Sequence, residues 1–122
     1  LARLGFALPL GGTSMNIRRS ALIDLKGWDA FNVTEDADLG LRLSRTGLRC
    51  ALLDSKTCEE ATKMPLTWIK QRSLWQKGYF MTYWCHNRSP KQLLADLGIW
   101  HWIGVHALFF PAIATFLFAP LF

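Results

Sequence analysis

The last part of the chain contains a long stretch without formal charge, which limits what the chain can fold into. After Asp96 no Asp, Glu, Lys or Arg occurs as far as Phe122, a span of 26 residues. A helix needs about 20 apolar residues to cross the hydrocarbon core of a bilayer. Pro111 lies inside the stretch, where a membrane helix tolerates a kink. We therefore predict a transmembrane helix over residues 97–122; the alternative is a buried core helix of a larger soluble protein.

Positive charge is concentrated directly before this stretch. The formal net charge is +5, and no acid lies between Glu60 and Asp96, where six basic residues occur: Lys63, Lys70, Arg72, Lys77, Arg88 and Lys91. A basic block beside an apolar span is typical of the cytoplasmic flank of a membrane helix. Nearby tryptophans are typical interfacial anchors, and five of the six lie in this neighbourhood. We therefore predict membrane lipid as a partner, residues 1–95 in the cytoplasm, and no nucleic-acid partner.

Two helices and a strand are predicted before the basic block. Ser20 begins a short helix that Gly27 ends, and a second helix follows Thr34, a good N-cap residue, and ends at Gly47. Residues 48–53 are apolar and follow that helix end directly. This pattern is typical of a buried strand. The predicted fold class of this part is α/β.

A long helix is predicted to begin at Pro65, because proline at the first helical position has no N–H that needs a partner. The chain then divides into an α/β part over residues 1–63, an interfacial amphipathic helical part over 64–96 and the transmembrane helix over 97–122. Because the sequence starts within a pattern and ends within an apolar run, we expect it to be a fragment of a longer protein.

The run NVTEDADL at residues 32–39 places three carboxylates in four positions. The first turn of a helix favours acids, because it carries the positive end of the helix dipole. At about 100° per residue, Asp38 shares a polar stripe with Arg42 and Arg45, which predicts a solvated pair and a nearly silent Asp38→Asn change. Asp36 lies roughly opposite, facing inward, and is either a capping acid or a functional group. Glu35 lies at the edge of the polar face, and both roles remain open for it.

The long helix carries a second unusual pattern on one face. Aromatic, amide and guanidinium side chains alternate there, at Trp68, Gln71, Arg72, Trp75 and Tyr79. Sugar rings stack on indoles, while hydroxyls and phosphates take hydrogen bonds from amides and guanidinium groups. The pattern therefore predicts a sugar- or phosphate-binding face. The alternative is an interfacial helix anchored by tryptophans and basic residues, which needs no ligand.

Four short segments resemble, in order and spacing, the membrane glycosyltransferases of family 2, the cellulose-synthase-like and related processive synthases. The resemblance covers essentially the whole chain. Its most specific part is TED followed some 35 residues later by QRxxW and an apolar span. The segments are Gly11-Gly12-Thr13-Ser14, Gly27-Trp28-Asp29, Thr34-Glu35-Asp36 and Gln71-Arg72-Ser73-Leu74-Trp75.

The resemblance implies a fold and an activity. The fold would be the C-terminal part of a GT-A-type, Rossmann-like domain joined to the interfacial and transmembrane helices. The activity would be inverting transfer of a sugar, of hexosyltransferase type, from a nucleotide diphosphate sugar to a hydroxyl of a saccharide or lipid-linked acceptor. It implies polysaccharide or glycolipid synthesis by a multi-pass membrane protein whose catalytic part is cytoplasmic. The alternative is a membrane-anchored, non-catalytic interaction module.

The resemblance also implies roles for particular residues. Asp36 corresponds to the general base of the family, while Gln71 and Trp75 correspond to residues that contact the nucleotide diphosphate and the acceptor sugar. The family pattern has Arg where this chain has Leu74. Either Arg72, the neighbouring cation, carries part of the phosphate contact, or binding is weaker.

Other expected site residues have weaker support. Glu35 is included as a substrate contact. Gly11 and Gly12 lack side chains and would let an acceptor approach the backbone, with the hydroxyls of Thr13 and Ser14 nearby; the alternative is a plain turn. The resemblance implies a divalent cation, Mg²⁺ or Mn²⁺, held by aspartates upstream of Leu1, so we expect no metal ligands in this chain and no activity from the fragment alone.

Overall fold

A computed structural model describes residues 6, 7, 9–60 and 62–118. It contains four α-helices, which hold 61% of the described residues, and none of those residues forms a strand. The predicted α/β fold class, including the GT-A-type Rossmann-like domain, is therefore wrong for the described chain. The helices are α1 (Arg19–Asp24), α2 (Glu35–Arg45), α3 (Pro65–His86) and α4 (Pro90–Phe118).

The strand predicted over residues 48–53 is also wrong, because this segment has no regular structure. A strand is stable only when a neighbouring strand satisfies its backbone N–H and C=O groups. No such partner exists among the described residues. The side chains of Leu48, Leu52 and Leu53 are exposed instead of buried. Apolar composition alone misled the prediction.

The two short helices end where the sequence predicts. After α2, Gly47 has a φ of +78°, and the N–H of Leu48 donates to the carbonyl of Leu43 at 3.1 Å. After α1, Gly27 has a φ of +75° and donates to the carbonyl of Leu22 at 2.9 Å. Both turns are Schellman motifs, in which the left-handed backbone satisfies carbonyls at the helix end.

Helices α3 and α4 pack against each other as an antiparallel pair. The predicted start of α3 at Pro65 is confirmed, and a short turn after His86 leads into α4. Phe109 of α4 packs edge-on against Tyr79 at 5.8 Å and lies 6.0 Å from Tyr83, measured between ring centroids. Helix α2 joins this pair through Leu41. The buried core is Ala7, Leu41, Leu93, Leu97, Val105 and Phe109.

Helix α4 is interrupted at Gly98, whose φ of 73° and ψ of 163° are not helical. The part after Gly98 covers residues 99–118, or about 30 Å at about 1.5 Å per residue, which matches the hydrocarbon core of a bilayer. Within the described residues, Pro90–Thr115 is a candidate membrane span by length and composition, and 22% of its apolar window is buried. Residues 119–122 of the predicted span lie outside the described residues.

Candidate functional site

The N-terminus of α2 rests directly on α3 at a glycine. A Cβ atom at Gly78 would lie 2.5 Å from Cγ2 of Thr34, so only glycine permits this approach. Asn32 donates from Nδ2 to Oγ1 of Thr82 at 2.7 Å and accepts the N–H of Thr34 at 3.1 Å. Thr34 is the N-cap residue as predicted, but its side chain makes no capping bond. The acidic turn that follows Thr34 is therefore fixed on α3.

Asp36 lies half-buried in the first turn of α2, beside Gly12. Its Oδ1 accepts the N–H of Ala37 at 2.8 Å, and its Oδ2 is 3.4 Å from the place that a Cβ atom at Gly12 would take. Burial raises the pKa of the Tyr79 hydroxyl, and the charge of Asp36 raises it further, whereas Arg72 lowers it. Asp36, Tyr79 and Arg72 are therefore electrostatic neighbours.

Arg72 is held between two indoles on α3. Its Cζ lies 4.9 Å from the ring centroid of Trp75 and 5.4 Å from that of Trp68. Both rings remain exposed, at 41% for Trp75 and 50% for Trp68. Cation–π attraction orients the planar guanidinium and leaves its N–H groups free to bind an anion. Trp68, Arg72 and Trp75 are thus the solvent-exposed part of the aromatic and polar face of α3 that was predicted to bind sugar or phosphate.

The hydroxyls of Thr13 and Ser14, which were predicted to contact the sugar acceptor, form hydrogen bonds within the protein instead. Thr13 donates to Oε1 of Glu59, and the Ser14 and Thr57 hydroxyls lie 2.7 Å apart. In this arrangement the two hydroxyls are bonded to residues 57 and 59 and are not available to an acceptor.

The two remaining predicted contacts lie on separate helices. Gln71 is exposed at the N-terminal end of α3, and its Oε1 accepts the hydroxyl of Thr62 at 3.1 Å. Glu35 is half-buried in the first turn of α2. The structure thus brings Gly12 to Asp36, and Arg72 to Trp75, and the charges of both Asp36 and Arg72 act on Tyr79.

Asp38 is buried, which contradicts the prediction of a solvated pair. Its exposure is 7%; Nε of Arg42 donates to its Oδ2 at 2.7 Å and Nε2 of His86 lies 2.8 Å from its Oδ1. The pairing with Arg42 is confirmed, but α3 covers the stripe. Burial by itself raises the pKa of Asp38, yet the bond from His86 and the charge of Arg42 together lower it below its ordinary value.

Further bonds extend this buried contact into a network that joins α2, α3 and α4 with the turn after α1. Arg42 also donates to the carbonyls of Leu25 and Gly27, at 2.8 and 2.9 Å, in the turn after α1. Arg45 lies 3.1 Å from Nδ1 of His86 and donates twice to Oδ2 of Asp96 on α4, at 2.9 and 2.6 Å.

Sequence reasoning missed His86 and Asp96 as members of this network. His86 lies seven residues after Tyr79, so it continues the same face of α3. That spacing was the available signal for His86. Asp96 had no comparable signal, because its partner Arg45 lies 51 residues away.

The described residues do not fit a metal site. They contain no group of three or more His, Cys, Asp or Glu side chains that could hold a metal ion. A divalent cation is common in the family that the sequence resembles. The roles proposed below therefore belong to side chains of the described residues and not to a bound metal ion.

The chain matches the model of a known protein family. The model of the family described as glycosyl transferase family group 2 matches residues 1–122, which is the whole chain. No curated protein and no solved structure matches the chain.

Proposed function

The chain belongs to glycosyl transferase family group 2, and from this premise we propose that it carries the general base and part of the substrate face of an inverting glycosyltransferase. Membership of this family indicates glycosyltransferase activity, in which a nucleotide sugar is the donor and a second molecule is the acceptor. The observation that carries the proposal is the half-buried carboxylate of Asp36 beside Gly12, close enough to α3 for its charge to raise the pKa of Tyr79.

In the proposed reaction, the oxygen of an acceptor hydroxyl attacks the anomeric carbon of the donor sugar. A bond forms between that oxygen and that carbon, and the bond from the carbon to the diphosphate breaks. The nucleoside diphosphate leaves with the bonding electrons. Asp36 takes the proton of the acceptor hydroxyl, as a positioned general base. In-line attack with a single displacement inverts the anomeric centre.

The neighbours of Asp36 have complementary tasks in this proposal. The bare backbone at Gly12 leaves room for an acceptor hydroxyl beside the carboxylate. Trp75 offers an exposed indole for a sugar ring, while the guanidinium of Arg72 faces the charge that develops on the diphosphate. Since Leu74 stands where the family pattern has Arg, Arg72 is the cation left for this task.

Four further residues are proposed as weaker contacts. Glu35 and Gln71 lie near the ends of the two helices that form the face. Thr13 and Ser14 reach an acceptor only after their hydroxyls leave Glu59 and Thr57.

The same proposal places the protein in a membrane, with the catalytic part in the cytoplasm and a polysaccharide or glycolipid as product. The candidate span in α4 and the basic block before it support this location. Cys58 is an exposed, free thiol that reports the side of the membrane. In intact cells an impermeant maleimide should leave Cys58 unlabelled until the membrane is permeabilised. Labelling from outside in intact cells contradicts the topology.

The function is tested by comparing two tryptophans of α3 in the intact protein. Sugar transfer is measured with UDP-glucose, UDP-N-acetylglucosamine and GDP-mannose, each radiolabelled in the sugar. Trp75→Ala removes both the stacking surface and one of the two rings that orient Arg72. We expect kcat/KM to fall by about 10- to 100-fold.

Trp84→Ala is the matched control. Trp84 is 64% exposed on another side of α3, where it stacks on Phe80 with ring centroids 6.1 Å apart. Its replacement should change kcat/KM by less than about twofold, since the stack adds only about 1 kcal/mol and lies away from the site. Equal effects of the two changes would assign Trp75 to anchoring. If the wild type transfers none of the three sugars, the non-catalytic interaction module gains support.

A further inference from the structure

Helices α2 and α3, which carry the proposed site, also carry two buried ionisable groups that have no part in the proposed reaction. Asp38 follows Asp36 by two residues on α2, and His86 follows Tyr79 by seven residues on α3. Asp38 is 7% exposed and His86 is 8% exposed. Burying such groups costs free energy unless hydrogen bonds compensate for the lost contact with water, so the partners of both side chains matter for the fold.

The partners of His86 assign one of its ring nitrogens as an acceptor and the other as a donor. The guanidinium of Arg45 can only donate, so Nδ1 of His86 must accept the bond of 3.1 Å. Nε2 of the ring then carries the hydrogen and donates to Oδ1 of Asp38 at 2.8 Å. Oδ2 of Asp38 accepts from Nε of Arg42 at 2.7 Å. Both ring nitrogens and both carboxylate oxygens are therefore used.

These contacts lie on both sides of Asp36 along α2. Before it, Thr34 packs against Gly78 and lies 3.4 Å from the hydroxyl of Thr82. After it, Asp38 bonds to His86. Two attachments four residues apart on one helix prevent that helix from turning about its axis or sliding along α3. Directional hydrogen bonds specify such a register more narrowly than apolar contacts, which tolerate repacking.

We propose that Asp38 and His86 are positioning residues for sugar transfer, because the bond between them sets where Asp36 stands relative to Arg72 and Trp75. This inference rests on the proposed function. Arg42 ties the same unit to the turn after α1, and Arg45 ties it to Asp96 on α4. A displacement of a catalytic group by about 1 Å can cost about 10²-fold in rate, so small shifts of α2 are sufficient.

The test measures kcat and KM of the intact protein for whichever of the three labelled nucleotide sugars it transfers fastest. His86→Leu removes both hydrogen bonds and fills the buried position with an apolar side chain. Asp38→Asn keeps the shape of the side chain, but its amide N–H then faces the donor of either Arg42 or His86. Both should lower kcat by about 10- to 100-fold and change KM by less than about threefold. His86→Gln can accept from Arg45 and donate to Asp38, so it should keep kcat within about fivefold of the wild type.

His106→Leu is the matched control. His106 is a half-buried histidine of α4 whose Nδ1 lies 2.9 Å from the carbonyl of Trp102, outside the network. Rates are normalised to folded protein, and His106→Leu should keep the wild-type kcat. The proposal is overturned if His86→Leu and His106→Leu have the same kcat, or if His86→Gln is as slow as His86→Leu. Should His86→Leu fail to fold, a kcat for Asp38→Asn equal to that for His86→Gln overturns it, and a lower one supports it.

The failure of this inference is distinct from failure of the proposed function. If Asp36→Asn keeps its activity, the function itself is wrong. If Asp36→Asn is inactive while Asp38→Asn and His86→Leu keep the wild-type kcat, only the positioning role is wrong.

Discussion

Replacing Asp36 with Asn is expected to lower the turnover of sugar transfer by about 10²–10⁴-fold, the usual contribution of a positioned general base. The amide keeps the shape of the side chain, and its oxygen can still accept the N–H of Ala37. It cannot take the proton of an acceptor hydroxyl. The measurement is the initial rate of transfer by the intact protein from its fastest labelled nucleotide sugar.

Two other acids serve as comparisons. Asp24 is exposed at the end of α1, so Asp24→Asn should leave turnover unchanged. Glu35→Gln should fall between the two, because Glu35 is half-buried in the same turn as Asp36. If Asp36→Asn is as active as Asp24→Asn, then the acids of the TED segment only favour the start of α2.

Replacing Asp38 with Ala is expected to lower the free energy of unfolding by about 2–4 kcal/mol, because it leaves two donors near a buried site without their acceptor. The donors are Nε of Arg42 and Nε2 of His86. The sequence alone predicted a nearly silent position. Unfolding of the intact protein in denaturant, compared with Asp24→Ala, measures the difference; similar effects of the two changes contradict the buried network.

The contribution of Asp38 should also depend on pH. His86 and Arg42 hold the pKa of Asp38 below its ordinary value despite the opposing effect of burial. The charged form therefore stabilises the fold above the pKa of an unfolded aspartate, about 3.9, and this stability is lost as pH falls through the lower folded value. The stability difference between wild type and Asp38→Ala should shrink below about pH 4. A difference that stays constant between about pH 7 and pH 3 contradicts this assignment.

Local sequence rules predicted the helix ends because those ends depend on neighbouring residues. Gly47 adopts the left-handed conformation that ends α2, Gly27 directly follows the left-handed Lys26 at the end of α1, and Pro65 begins α3. Asp38 shows where such rules stop. Its periodicity within α2 correctly gave the pair with Arg42, but could not show that His86, 48 residues later, would cover that stripe.

The predicted strand failed for a related reason. Residues 48–53 have the composition of a buried strand, but a strand depends on a partner that composition does not reveal. The sequence predicted which residues make up the candidate site, but not the contacts that hold them. Asp36 does lie beside Gly12, and its charge acts on Tyr79 of α3. The contact between Thr34 and Gly78 that holds it there depends on tertiary packing. The roles of these residues remain predictions.

Asp36 acts, in our proposal, on the chemical step and not on donor binding. The most direct test measures the two separately, as the Kd for the labelled nucleotide sugar and as the rate of a single turnover after that sugar has bound. We predict that Asp36→Asn keeps Kd within about threefold of the wild type and lowers the single-turnover rate by about 10²–10⁴-fold. A single-turnover rate within about threefold of the wild type would show that Asp36 is not the base.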